Sequence, residues 1–526
     1  NAQTLTKKAY VCDLVAHHAL ARKIAAQSMV LLKNEGVLPI SKGQKIAVIG
    51  EMAKSPRYQG AGSSLINPTK IDNACDCLEQ AGFEFSYAAG YDKKKIEIDE
   101  KKINEAVQAA KGAHVVLAFI GLTDAYESEG FDREQMSLPE SHNALIDALC
   151  NANENVVVIL AGGSPVSMPW AAKVKGILNS YLGGQAGAGA VADILTGAVN
   201  PSGKLAETYP FSNKSTPCEE NFPGGHKTVE YRESIYIGYR YYDKAKIEVQ
   251  FPFGFGLSYT SFEYSDLKLD KALIKDNQTL KVSFKVKNTG KVVGAEIAQL
   301  YVADEESTIF RPEKELKSFK KVELLPGEEE EVELALDKRA FAYYNTEIHD
   351  WHVESGSFKI LVGASCVDIR LEGSVNVEST LPQAVIPDFR ETAPVYYSAE
   401  VKNVPDIQFE AILGMPIPPE ERDITNPLTY INNLEDAWHT KWGRRINKTI
   451  ISVMGRFNKG PNAGMMNNVA LQTPFRCILS MGNGVLSQKM LDGLLLMLNG
   501  KKGGIRKFLS GMPHLIKNLR SFINSI

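Results

Sequence analysis

The pattern that most restricts the fold is a recurrence of short, almost wholly apolar runs separated by amphipathic stretches. The runs are Lys45 to Gly50, Phe83 to Ala89, Val115 to Gly121, Val156 to Gly163 and Gly176 to Gly183. Between several of them lie segments with helical spacing: Ile71 to Ala81, Ile103 to Ala110, Ser141 to Ala152 and Ala188 to Thr196. A strand that is apolar on both faces needs cover on both faces, and helices alternating with such strands supply it. The expected fold class is therefore α/β, a parallel sheet between helical layers. Ahead of it, residues 14–34 are Ala- and Leu-rich with no Gly or Pro before Gly36, which predicts one helix leading into the turn Val37-Leu38-Pro39.

Loops that leave the carboxyl ends of such strands are where open α/β sheets place functional groups. Two loops qualify. After the third run comes Tyr126-Glu127-Ser128-Glu129-Gly130-Phe131-Asp132-Arg133, with four acids and one Arg between Asp124 and Arg133. By itself this reads equally as a solvated acidic surface. After the first run comes Arg57-Tyr58-Gln59-Gly60-Ala61-Gly62-Ser63-Ser64, where small residues let backbone approach a polar ligand and two hydroxyls add donors. A dinucleotide fingerprint is not met, since Leu65 stands where a third glycine would be and the loop is long, so no cofactor is expected. His114 and the pair His17-His18 read as packed residues.

From Tyr259 the period changes to two. Thr279 to Lys287 alternates polar and apolar, Asn288-Thr289-Gly290 and Pro326-Gly327 mark turns, and Ala295 to Val302, Leu316 to Leu325, Glu331 to Leu336 and Phe358 to Val362 continue the series. About seven short strands without helices predict an antiparallel β-sandwich, with Glu328 to Glu331 as a solvated strand edge. Residues 210–257 form a Pro- and Gly-punctuated connector whose Tyr236, Tyr239, Tyr241 and Tyr242 are expected to fill an interface. The domains expected are thus 1–215, a connector 216–257, the sandwich 258–379, and an extension 380–526 that opens as a proline-rich linker.

From residue 441 onward there are 14 Lys and Arg against one acid, Asp492. Ile505, Phe508, Leu509, Met512, Ile516, Leu519, Phe522, Ile523 and Ile526 recur at helical spacing, with Pro513 starting a second helix. This basic amphipathic tail suits a membrane surface or nucleic acid, or an appendage burying its apolar face on the rest of the protein or a sister subunit. The whole chain is net −3, which argues against a general nucleic-acid binder. Seven scattered cysteines suit free thiols in a reducing compartment, so a cytoplasmic location is expected; Cys75 and Cys77 lack the further ligands of a metal site, and none is expected. No run reaches the ~18 residues of a membrane span.

The segments AHHALARKIAAQSMVLLKNEGVLPI, RYQGAGSS, ESEGFDREQMSLPE, NPSGKLAETYP, YIGYRYYD, FPFGFGLSYTSFEY and WHVESGSFKILVGAS resemble, in order, the carboxyl-terminal half of glycoside hydrolase family three. This is the β-glucosidase and β-xylosidase family. The resemblance implies an (α/β) sandwich domain followed by a fibronectin type III-like domain. It implies a retaining β-glycosidase, most often a β-glucosidase, with a carboxylate nucleophile and a separate acid/base. The acid/base falls on Glu129, with Glu127 as the alternative, and Ser63 matches a position that hydrogen-bonds the sugar. Asp132 and Arg133 are expected to pair and hold the loop. The family's nucleophile lies on a (β/α)8 barrel that this chain is not expected to contain. Asp350-Trp351 looks like the nucleophile segment but falls within the sandwich and is rejected. Expected partners are a β-linked oligosaccharide or aryl glycoside, the barrel on the same parent chain or a separate one, and a second copy. The rival expectation is a non-catalytic module binding carbohydrate, membrane or a protein partner.

Overall fold

A computed structural model describes residues 12–63, 65–95, 97–129, 132–133, 135–224, 228–419, 427–457, 469–481 and 487–512. The first unit is a six-stranded sheet built from β1 (Val30–Asn34), β2 (Ile46–Ile49), β3 (Phe85–Ala88), β4 (Val115–Gly121), β5 (Val156–Ala161) and β6 (Gly176–Asn179). Their spatial order is β1-β6-β5-β4-β2-β3. β2 to β6 are parallel, and every residue of β2, β4 and β6 is buried. Helices α1 (Leu14–Ser28), α2 (Ala74–Gln80), α3 (Glu100–Ala110), α4 (Glu140–Ala152) and α5 (Gly187–Leu195) accompany the sheet. Asn73 and Asp99 cap α2 and α3 by accepting bonds from Asp76 N and Lys102 N, which fixes where those helices begin.

The predicted helix over residues 14–34 is two elements. α1 ends at Ser28, Met29 turns extended, and β1 then pairs antiparallel with β6, Val30 opposite Asn179. The apolar run Met29 to Leu32 is fully buried in the sheet. Its fate depends on a partner about 150 residues away, which local spacing does not register.

The second unit is an antiparallel sandwich. One sheet orders β11 (Glu315–Leu324), β10 (Gly294–Asp304), β15 (Gly356–Gly363), β16 (Ile369–Glu378) and β8 (Leu273–Lys275); the other orders β12 (Glu329–Leu336), β9 (Leu280–Asn288) and β7 (Phe262–Leu269). β8 is the exception, running parallel to β16. The two-residue period is realised along β9, where Leu280, Val282, Phe284 and Val286 are buried and Lys281 and Lys287 are exposed. Each such burial is worth about 1.5–3 kcal/mol relative to exposure. β12, carrying Glu329 to Glu331, is an edge strand.

Tyr236, Tyr239, Tyr241 and Tyr242 are all buried. Tyr236, Tyr241 and Tyr242 share a core with Phe310 and with Ala393, Tyr396, Val401, Val404 and Phe409. The segment expected to be a linker is therefore docked. Its prolines start short helices instead of leaving the chain free: Pro394 precedes Val395–Ser398 and Pro405 precedes Asp406–Leu413. Further on, Lys441–Phe457, Phe475–Met481, Gln488–Leu498 and a helix over 504–512 form a small helical module. Leu428, Leu434, Ala437, Phe475, Leu491, Leu495 and Leu498 make its core. This module buries an apolar face on itself, whereas Ile505 and Leu509 of the expected stripe are exposed. The positions from Pro513 to Ile526 lie outside the described residues.

Candidate functional site

The strand order contains a switch point. From β2 the chain moves to β3 on one side, then crosses back to β4 on the other and continues to β5 and β6. The crevice between the carboxyl ends of β2 and β4 is where such sheets accept ligands. β2 releases the Gly/Ser loop, β4 the acidic loop, and β5, on the far side of β4, releases Gly162-Gly163-Ser164. Residues from about 57 to 164 in the sequence thus converge on one edge.

The Gly/Ser loop and the acidic loop are bonded to each other in both directions. Glu129 N donates to Ala61 O at 3.3 Å, and Ser63 N donates to Glu129 Oε2 at 2.6 Å. The Ser63 hydroxyl and N–H hold the exposed Glu129 carboxyl below its ordinary value. Gly62, at φ +108°, is what permits the seat. A Cβ there would lie 2.5 Å from both Glu129 Cβ and Oε2.

Glu127 sits differently, with its side chain 19% exposed. Both of its carboxylate oxygens lie 3.0 Å from Gly163 N, and Ser164 Oγ donates to Oε1 at 2.8 Å. A Cβ on Gly163 would approach Oε1 to 3.0 Å, so here too a glycine makes room for a carboxylate. Arg57, buried beneath the loops, donates to Glu127 O at 2.8 Å, reaches Oε2 at 3.5 Å and pairs with Asp124. Glu127 is thereby an anchor between three loops, while Glu129 points outward.

Arg133 holds the loop, but not through Asp132. Its Nη1 donates to Ser164 Oγ at 2.7 Å and to Pro165 O at 3.0 Å, while Asp132 is exposed. Ser164 Oγ consequently accepts from Arg133 and donates to Glu127, a relay that ties guanidinium to carboxylate through one hydroxyl. Among the described residues no ion pair joins Asp132 to Arg133, because a half-buried Arg beside an exposed Asp faces the other way. Gly130 and Phe131, between Glu129 and Asp132, lie outside the described residues.

Sequence reasoning gave no role to Arg57, Ser164 or Glu207. Arg57 carried a signal, being the lone cation of a loop facing an acid-rich one. Glu207 carried none beyond its place in NPSGKLAETYP. Burial and the charge of Glu127 push its carboxyl up to about 7. The cavity behind these loops, lined by Arg57, Tyr58, Phe119 and Tyr181 among others, measures only about 40 Å³.

The remaining candidates are structural. His18 bridges Asp72 (2.9 Å) and Gln185 (2.9 Å), which joins α1 to two loops of the sheet, so it is hydrogen-bonded as well as packed. His114 Nδ1 accepts from Lys45 N at 2.7 Å, but His114 and His17 are exposed and not packed as expected. Cys75 and Cys77 are free and buried, and burial pushes their thiols up. Asp350 and Trp351 lie in the hairpin of β13 (Tyr343–Asn345) and β14 (Asp350–His352), where the Arg339 guanidinium stacks 3.4 Å from the Trp351 ring centre. Among the described residues no (β/α)8 barrel is formed.

These features define a class: a covered α/β sheet with paired acidic and Gly/Ser loops at its switch point, followed by a fibronectin type III-like sandwich. Residues 29–259 match the glycosyl hydrolase family 3 C-terminal domain, and residues 296–366 match the fibronectin type III-like domain. The chain belongs to glycoside hydrolase family 3, of which it carries these carboxyl-terminal domains. It is 57% identical over 373 residues to thermostable beta-glucosidase B of Acetivibrio thermocellus, covering 70% of this chain and 49% of that one. It is 44% identical over 380 residues to an exo-alpha-(1->6)-L-arabinopyranosidase of Bifidobacterium breve, covering 70% and 50%. The solved GH3 beta-glucosidase of Bifidobacterium adolescentis superposes with a TM-score of 0.70 at 43% identity, over 76% of this chain and 59% of that one. The chain spans about half the length of the curated relatives it matches.

Proposed function

We propose that this chain is the carboxyl-terminal portion of a retaining β-glycosidase, most readily a β-glucosidase, and that Glu129 is its general acid/base. The observation that carries the reading is the contrast between the two candidate acids. Glu127 is committed to Gly163, Ser164 and Arg57, whereas Glu129 is exposed at the crevice, its carboxylate held among the described residues by Ser63. A proton donor must reach the leaving oxygen of a glycoside, and an outward-facing carboxyl can do so. Glu127 then serves as a positioning residue, and Ser63 contacts both Glu129 and the bound sugar.

As it stands, Glu129 is held as a carboxylate. Protonating it requires a neighbouring negative charge, loss of water or loosening of the Ser63 bond. A second carboxylate brought up by a (β/α)8 barrel, acting as the nucleophile, supplies the first of these. The 40 Å³ cavity, far below the ~300 Å³ at which ligand pockets begin, supports a sugar site completed by another domain. So do the exposed Leu14, Val15, Leu20 and Ile24 of α1, which offer apolar surface for such a domain to cover. The substrate is a terminal β-linked sugar, glucose first, with xylose, arabinose and N-acetylglucosamine as variants to be chosen by the barrel.

The test is hydrolysis of an aryl β-glucoside by the chain alone and by the chain joined to a family barrel. No turnover alone and turnover on joining is expected. Clear turnover by the chain alone contradicts the proposal.

A further inference from the structure

The helical module of residues 427–512 lies outside both matched domains, and the site at the switch point makes no use of it. Residues 427–512 carry 12 Lys and Arg against three acids, Glu435, Asp436 and Asp492, a net of +9 in a chain of net −3. Asp492 pairs with Lys507 at 2.7 Å and accepts from Tyr430, so it cancels Lys507 and leaves Lys501, Lys502 and Arg506 uncompensated by it.

An open groove of about 680 Å³ runs across this module. Trp442, Met497, Ile505 and Leu509 give it an apolar floor, Lys501, Lys502 and Arg506 add cations, and among the described residues no carboxylate lines it. Ile505 and Leu509 are one helical turn apart and 53% and 54% exposed, while Gly504 and Gly511 on the opposite side of the same helix are buried against Gln488–Leu498. Among the described residues, these two aliphatic side chains held in water beside three cations form an amphipathic surface without an apolar partner.

We propose that this module is a peripheral docking surface for anionic phospholipid. The cations meet the headgroup phosphates, and Ile505, Leu509 and Met497 enter the acyl boundary with Trp442 at the interface. Charge complementarity selects an anionic partner, and the exposed aliphatics select lipid over nucleic acid, because a phosphodiester backbone offers aliphatic side chains nothing to bury against. No helix among the described residues is long and apolar enough to cross a membrane.

The test uses the full chain and vesicles of phosphatidylcholine with or without equal phosphatidylglycerol, read by co-sedimentation at two salt concentrations. Binding to the anionic vesicles at least tenfold tighter than to the neutral ones, and weakened by salt, is expected. Replacing Lys501, Lys502 and Arg506 by Ala should weaken it about hundredfold, and the pair Ile505→Ser, Leu509→Ser about tenfold. In the unaltered chain, brominated lipid should quench tryptophan emission, and Trp442→Phe should remove most of that quenching. Equal partition onto neutral and anionic vesicles overturns the proposal. So does RNA bound as tightly as the anionic vesicles, or an unquenched Trp442.

Discussion

The α/β layer and the β-sandwich both bury apolar strands, yet they distribute their charges in opposite ways. In the α/β layer each parallel strand releases its loop at the same end. Arg57, Glu127, Arg133 and Ser164 come from three such loops and close one network. In the sandwich, antiparallel strands send successive turns to opposite ends, and charges pair with near neighbours across a strand. Lys285 meets Asp266 and Glu329, and Lys359 meets Glu372. Parallel topology gathers residues into a site, whereas antiparallel topology spreads them into a scaffold.

That contrast can be broken by mutation. Arg57→Ala leaves Asp124 and Glu127 without their shared cation in a partly buried setting, and should cost about 3 kcal/mol of stability by thermal or urea denaturation. Gly62→Ala forces Glu129 off Ser63 and places a side chain at φ +108°, for about 2 kcal/mol. In the sandwich, Arg339→Ala loses only its stacking on Trp351 and should cost about 0.5–1 kcal/mol. Equal losses from Arg57→Ala and Arg339→Ala would remove the distinction between a cooperative network and local pairs.

A pH-dependent effect sharpens the same comparison. Glu207 titrates at about 7 in the fold against an ordinary value of 4.5. Below pH 4.5 both folded and unfolded chains hold the proton, and the group does not affect stability. Between 4.5 and 7 the unfolded chain ionises while the fold resists, so stability falls as pH rises, and above 7 the loss is complete. Glu207→Gln should therefore raise Tm relative to the unaltered chain more at pH 8 than at pH 5. Glu127→Gln, which removes the neighbouring charge, should lower the Glu207 pKa, as followed by carbon-detected NMR of the carboxyl. A Tm difference independent of pH would show that Glu207 is not buried against Glu127.

Much of this was legible in the sequence, for identifiable reasons. The five strands from β2 to β6 and the alternation of β9 follow from apolar period alone. The seat of Glu129 on Ser63 joins two motifs that were each marked separately, although nothing local says that their loops touch. The strand β1 reads locally as helix, because Val30 to Leu32 continues an Ala- and Leu-rich run and only the distant β6 makes it a strand. Residues 393–409 were read as linker, because prolines signal a break without signalling the tyrosines that the broken segments cover. The Arg57 clasp and the Arg133–Ser164–Glu127 relay are invisible in the sequence, since each depends on two loops meeting in space.

The most direct measurement of the central claim compares leaving groups on the chain joined to a family barrel. With Glu129→Gln, kcat/KM for an alkyl β-glucoside, whose leaving oxygen needs a proton, should fall about 10²–10⁴-fold. The value for a dinitrophenyl β-glucoside, whose leaving group needs none, should change far less in its first step. Glu127→Gln should weaken both substrates alike, as expected of a positioning residue. If instead Glu127→Gln shows the leaving-group dependence and Glu129→Gln does not, the proton donor is Glu127 and the assignment made here is wrong.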